Sequence, residues 1–134
     1  MKRHEQLQEL SREHHLALKL ALLARRALTS GEPLQIQAAA RACVTAFVSD
    51  LEPHFVREES DVLPMLAQAG ETALVERTLR EHEEMRSLAA RLTAADRATL
   101  ERFGALLDAH VRFEERELFD VAQRHLEAAD EAND

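Results

Sequence analysis

Apolar residues recur at spacings of three and four along most of the chain, in four runs separated by short polar breaks. In the first, from about His4 to Leu28, the residues Leu7, Leu10, His14, Ala17, Leu18, Ala21 and Leu28 form one helical stripe. Thr29-Ser30-Gly31-Glu32-Pro33 then closes one helix and opens the next. The second run starts near Leu34 and aligns Cys43, Phe47, Leu51, His54, Glu58, Val62 and Met65. Pro53 lies inside it, removing a backbone donor and crowding the preceding turn. This predicts a kink just before His54, or else two helices meeting there. Pro64 is expected to distort or end the last turn, before a short connection at Gln68-Ala69-Gly70-Glu71. The third run, about Glu71 to Leu92, aligns Val75, Leu79, His82, Met85, Ala89 and Leu92. Thr93-Ala94-Ala95-Asp96 has capping-box spacing, with Asp for the usual Glu. The fourth run, to about Leu126, aligns Leu100, Phe103, Leu107, His110, Glu114, Leu118 and Val121. The acidic tail from about residue 128 is expected to fray.

Short connections favour antiparallel neighbours. The expected fold is therefore all-α: an antiparallel up-down-up-down four-helix bundle, its second helix kinked at Pro53, with residues 1–134 as a single domain.

Composition narrows the function. A chain of 134 residues can bury roughly two-thirds of its unfolded surface and needs no disulfide. Its one cysteine, Cys43, reads as a small core residue. The start, MKRHEQLQELSREHH, is too polar for a signal peptide, and no apolar run is long enough to span a bilayer. The expectation is a cytoplasmic protein with no membrane partner. A net charge of −8, with Arg interleaved among Glu, argues against a nucleic-acid partner. Trp and Tyr are absent, so little is available to stack on bases or sugars.

The candidate chemistry lies in polar residues at core positions. Each stripe carries a histidine: His14, His54, His82 and His110. Two also carry a glutamate one turn after the histidine, Glu58 and Glu114, so that each pair shares a helix face. A lone His-x-x-x-Glu pair is more often a surface pair, but convergence from all four stripes points to a metal. A buried unpaired carboxylate costs on the order of 3 kcal/mol or more, and a bound cation reverses that sign. Imidazole and carboxylate without thiolate suit iron, manganese or zinc. The set is too large for one closed tetrahedral zinc site and fits two ions with an open position. His14 competes with His15, which lies ~100° round the helix; His14 is the better placed, with His15 flanking. His4 and His125 lie near chain or helix ends and should face water. Glu59 and Glu115 read as surface residues or as groups behind the ligands. The phenylalanines Phe47, Phe55, Phe103 and Phe113 read as packing, and the run from Arg77 to Arg86 as a solvated face.

These residues together resemble the hemerythrin-like proteins, in particular the broader HHE cation-binding group. The matching pieces are Arg12-Glu13-His14-His15, His54-Phe55-x-x-Glu58-Glu59, Glu81-His82-Glu83 and His110-x-x-x-Glu114-Glu115 followed by Leu118-Phe119. The resemblance implies an antiparallel four-helix bundle around a non-haem, usually two-iron, site with bridging carboxylates. It also implies reaction with O₂ or related small molecules. Residue by residue, His14, His54, Glu58, His82, His110 and Glu114 match its metal ligands. One departure stands out. Oxygen-carrying members have a second histidine one turn after the third-helix histidine, where this chain has Arg86. They also usually carry an Asp five residues after the fourth-helix histidine, at Glu115 here. Arginine offers no lone pair; it either turns outward or reaches in to a carboxylate. That argues against reversible O₂ carriage.

Three functions are open on these grounds. The first is a di-iron protein that senses, stores or handles iron, O₂ or reactive oxygen and nitrogen species. The second is an enzyme at the same site, an oxidase, a peroxidase-like or a nitric-oxide-handling one. It would lack a Tyr and any evident proton relay beyond Glu59, Glu115 and His15. The third is a metal-free helical interaction module whose inward His and Glu pair with each other.

Overall fold

The computed structural model of the chain describes residues 3–92 and 96–133. They form four long helices, and no strand occurs among the described residues. We label them α1 (Glu5–Ser30), α2 (residues 33–68), α3 (Thr72–Arg91) and α4 (residues 97–132). Each helix packs against its neighbours in sequence, and α1 packs closely along α4, closing a four-helix ring.

The helix ends follow local chemistry. His4 caps α1: its Nδ1 accepts the Gln6 N–H at 3.1 Å, and its Nε2 donates to Asp130 at 2.8 Å. It is therefore tied down rather than facing water as expected. The same pair secures the end of α4, which stays helical to Ala132, beyond the residue 128 where fraying was expected. Gly31 closes α1 at φ 69, a backbone region that favours glycine, and Pro33 opens α2. Of the expected capping box, Thr93, Ala94 and Ala95 lie outside the described residues. Asp96 is itself the cap, its Oδ1 accepting the Ala98 N–H at 2.9 Å.

α2 runs through Pro53 as one helix rather than two. Its winding changes to π over Phe47–Leu51, and the Glu52 N–H reaches back five residues to the Phe47 carbonyl. The register has thus slipped before the proline, which lacks an N–H, arrives. A second π turn covers Glu58–Val62, just ahead of Pro64, and the helix continues to Gln68. α4 has a matching π turn at Glu114–Leu118. Among the described residues, two of the three π turns thus begin on the two inward glutamates.

Two apolar clusters fill the bundle. One joins Ala17–Ala27 of α1 with Phe47, Phe55, Met85, Phe103 and Leu107; the other joins Leu7, Leu10, Leu66, Phe113, Phe119 and Leu126. Between them lies a polar layer. The stripes differ from expectation at several places: Leu18, Leu28, Met65, Val75 and Val121 are half-buried, and Leu79 is exposed. Thr78 takes the inward place in α3, its hydroxyl donating to the Leu74 carbonyl at 2.8 Å. Hydropathy alone favoured Leu79, because a threonine satisfied by its own helix reads as polar.

α1 and α4 approach closely at Gly104. A Cβ there would lie 3.2 Å from Ala24 Cβ and 3.6 Å from the Ala21 carbonyl oxygen. Gly104→Leu should therefore destabilise the fold by about 1–3 kcal/mol through overpacking, read as a lower midpoint in chemical denaturation.

Candidate metal centre

The polar layer holds His14, His54, Glu58, His82, His110 and Glu114, all buried, and Glu58 and Glu114 fully so. His15, one residue from His14, is exposed. In α2 and α4 the histidine sits one turn before a glutamate that opens a π turn. The wider winding there keeps residues four apart on the inner face, so His54, Glu58 and Val62 all point inward.

Each inner carboxylate turns one oxygen to each histidine pair. Glu58 Oε2 lies 3.1 Å from His54 Nε2, and its Oε1 lies 2.9 Å from His82 Nε2. Glu114 Oε1 lies 2.8 Å from His14 Nε2, and its Oε2 lies 3.1 Å from His110 Nε2. Two groups of potential ligand atoms result, His14/His54/Glu58/Glu114 and Glu58/His82/His110/Glu114, each with its atoms within 4.8 Å of one another. The two groups share both carboxylates, an arrangement suited to two bridged ions.

The outer nitrogens are also fixed, and this layer goes beyond what the sequence reading assigned. Glu13 of α1 meets His54 Nδ1 of α2 at 2.8 Å. Glu59 of α2 meets His82 Nδ1 of α3 at 2.7 Å. Glu81 of α3 meets His110 Nδ1 of α4 at 2.7 Å. Glu115 of α4 meets His14 Nδ1 of α1 at 2.6 Å. The four bonds pass once round the bundle. Glu13 and Glu81 were not foreseen as part of the site. Their signal was positional: each directly precedes an inward histidine on an odd-numbered helix, as Glu59 and Glu115 directly follow an inward glutamate on an even one. Three of the outer carboxylates are held in turn by arginines. Arg57 donates to Glu13, Arg77 to Glu81 at 3.0 Å, and Arg86 lies 3.0 Å from Glu59. Glu115 is held by the Ser11 hydroxyl at 2.8 Å, with Arg3 Nη2 3.4 Å away. Arg86 thus reaches a carboxylate, one of the two placements open to it.

A carboxylate on Nδ1 selects the imidazole tautomer with its proton there, leaving the Nε2 lone pair toward the centre. Two buried central atoms, His110 Nε2 and Glu114 Oε2, face each other at 3.1 Å without the alignment of a hydrogen bond and have no other hydrogen-bond partner among the described residues. Buried polar atoms are rarely left so. Together with a donor set of imidazole and carboxylate and no thiolate, they fit a borderline divalent or trivalent metal.

Without metal, protons take its place. Burial opposes charge on His54, but Glu58 and Glu114 outweigh it and push the imidazole up to about 11. His82 is likewise pushed to about 9 and His110 to about 10, against burial, by the same carboxylates and by Glu81 at His110. His14 is raised too, by Glu114 and Glu115 against burial. Burial opposes the charge on Glu114, but the surrounding imidazoles, His110 foremost, hold it well below the usual carboxylate range.

The chain's residues 6–122 match the family model of the hemerythrin HHE cation-binding domain. The chain belongs to this family. No match was found among curated proteins or among solved structures. The HHE match spans all four helices and every residue of the central cluster. It accords with a protein that binds metal ions through the His and Glu groups gathered here.

A cavity of about 80 Å³ reaches this HHE cluster from the side of α1, α2 and α4. Leu16, Ala17, Leu51, Phe55, Leu107 and Val111 form its apolar walls, His14, His54, His110 and Glu114 its polar end, and Glu13 and Asp50 line it as well. Glu58 and His82 do not line it. Phe55 stacks on His82 at 4.0 Å between ring centroids, and Phe119 stacks on His14 at 5.2 Å. These two rings therefore orient imidazoles as well as fill the core.

Metal and protons compete for the same Nε2 atoms, and this sets opposite pH trends. The raised imidazoles stabilise the metal-free fold fully below their unfolded value of ~6.5, and this is lost as pH rises through about 9 to 11. The increment in melting temperature on adding metal should instead grow from pH 5 to pH 8, because ligation needs neutral imidazole. Melts at paired pH values, with metal and with chelator, read both trends. Glu58→Gln should abolish metal uptake, whereas Glu59→Gln should weaken it by about 10–100-fold, measured by competition with a chromophoric chelator.

Proposed function

We propose that the chain is a non-haem di-iron protein. In this reading His14 and His54 would hold one ion and His82 and His110 the other, with Glu58 and Glu114 available to both. Manganese or zinc could occupy the same donors. The observation that carries the reading is the way each inner carboxylate turns one oxygen to each histidine pair.

When bound, an iron pair would supply one-electron redox chemistry toward a small molecule. The protein's own part is to hold four imidazoles in one tautomer, to seat two buried carboxylates between them, and to limit access. The cavity supports a small reactant. At about 80 Å³ it has room for a diatomic molecule, a peroxide or a few waters, and is small for an organic substrate. Its mostly apolar walls, with the acidic Glu13 and Asp50 beside them, favour a small neutral molecule over an anionic metabolite.

We infer further that the site senses or handles O₂ or reactive oxygen and nitrogen species rather than carrying O₂ reversibly. Each half has two histidines and the shared carboxylates, because Arg86 takes the position of a further histidine and binds Glu52, Glu59 and Glu83. A less saturated site leaves more room for reaction at the metal.

Optical spectra of the tag-free, iron-loaded, reduced protein exposed to air test this. Prompt conversion to a ferric spectrum that persists when O₂ is removed is expected. A spectrum that reverses on removing O₂ would make it a carrier, and failure to take up iron would exclude the di-iron reading. Leu107→Trp, which fills the cavity, should slow the air reaction at least several-fold in stopped-flow traces while leaving iron content unchanged.

A further inference from the structure

Arg86 ends a line of contacts that starts at the centre of the site. Its guanidinium grips Glu52 with two donors, Nε at 2.8 Å and Nη2 at 2.7 Å, and Glu83 with Nη1 at 2.7 Å. The same Nη1 lies 3.0 Å from Glu59 Oε2, and this is the oxygen that meets His82 Nδ1 at 2.7 Å. Cation and imidazole therefore share one carboxylate oxygen. A cation on that oxygen withdraws charge from it and weakens its pull on the imidazole proton, so the imidazole becomes a weaker donor at Nε2.

The other three histidines are supported differently. At His110, Arg77 and the imidazole take opposite oxygens of Glu81. At His14, Glu115 is held closely by the neutral Ser11 hydroxyl, with Arg3 more distant. At His54, Arg57 shares Glu13 Oε1 with the imidazole, but its side chain is 38% exposed against 23% for Arg86. The more buried cation is screened less by solvent. Arg86 also lies over Phe55, whose ring stacks on His82. Three carboxylates hold the guanidinium, so its position is fixed.

We propose that Arg86 is a positioning residue that sets the donor strength of His82 through Glu59, making the His82/His110 half of the site more easily reduced than it would be without the cation. This inference rests on the metal reading above. Arg86 is then more than a filler for an absent ligand, because it tunes the metal from behind its ligand. Removing the cation has two effects of one sign: it takes away positive charge near the metal and strengthens the His82 donor. Both favour the oxidised ion.

The test uses the full chain without a tag, as wild type, Arg86→Gln and Arg86→Lys, each loaded with iron and separately with zinc. In the iron form, Arg86→Gln should lower the reduction potential and Arg86→Lys, which keeps the charge, should stay near wild type. In the diamagnetic zinc form, the His82 Nδ1–H proton resonance should move downfield in Arg86→Gln while that of His14 stays in place. Arg86→Met serves in the same comparison where the glutamine variant does not load. An unmoved potential and an unmoved His82 resonance in a well-loaded variant overturn the inference alone. So does a lysine variant that shifts as far as the glutamine one, or an equal movement of all four histidine resonances. A wild type that takes up neither metal overturns the metal reading and this inference with it.

Discussion

Two carboxylates, Glu58 and Glu114, lie fully buried between two apolar clusters, and the surrounding structure is arranged to give each of them imidazole partners. A carboxylate so placed is neutralised by a proton, a cation or a set of donors. Here four imidazoles face the two groups, and four outer carboxylates hold those imidazoles from behind. Polar groups follow one another outward from the centre in concentric layers: carboxylate, imidazole, carboxylate, then arginine or hydroxyl. Removing one member of such a network leaves its neighbours unpaired in a low-dielectric interior.

The fold serves this arrangement directly. Antiparallel order places α1 beside both α2 and α4, so each outer carboxylate reaches the histidine of the next helix round the ring. The π turns at Glu58 and Glu114 place a second glutamate beside each inner one, aimed at the adjacent helix. α1 and α4 approach closely at Gly104, and on the same pair of helices His14 meets Glu114 and Glu115. The two halves of the chain carry the same device: Glu-His on the first helix of each, His-x-x-x-Glu-Glu on the second.

Much of this can be read from the sequence because helical periodicity is local. The spacing of His14 after Leu10, and of Glu58 after His54, decides which face each residue shares, and all six inward residues lie in one buried cluster. The outer layer could not be read the same way. Glu13 and Glu81 look like solvated helix residues until the neighbouring helix is in place, since their partners are 41 and 29 residues away. His4 reads as solvent-facing for a similar reason, its partner Asp130 being 126 residues distant. Leu79 misled because hydropathy outranked Thr78, whose hydroxyl is satisfied by its own helix. The π turns left no mark in the period of three and four, since a residue added to a turn keeps neighbours four apart in register.

The central claim is that the shared carboxylates serve two ions. Native mass spectrometry of the tag-free chain, titrated with ferrous iron under anaerobic conditions, reads the count directly. Two ions per chain are expected, taken up together, with both lost on Glu114→Gln because each group depends on that residue. No bound ion in the wild type, or full retention of both ions in Glu114→Gln, would contradict the account.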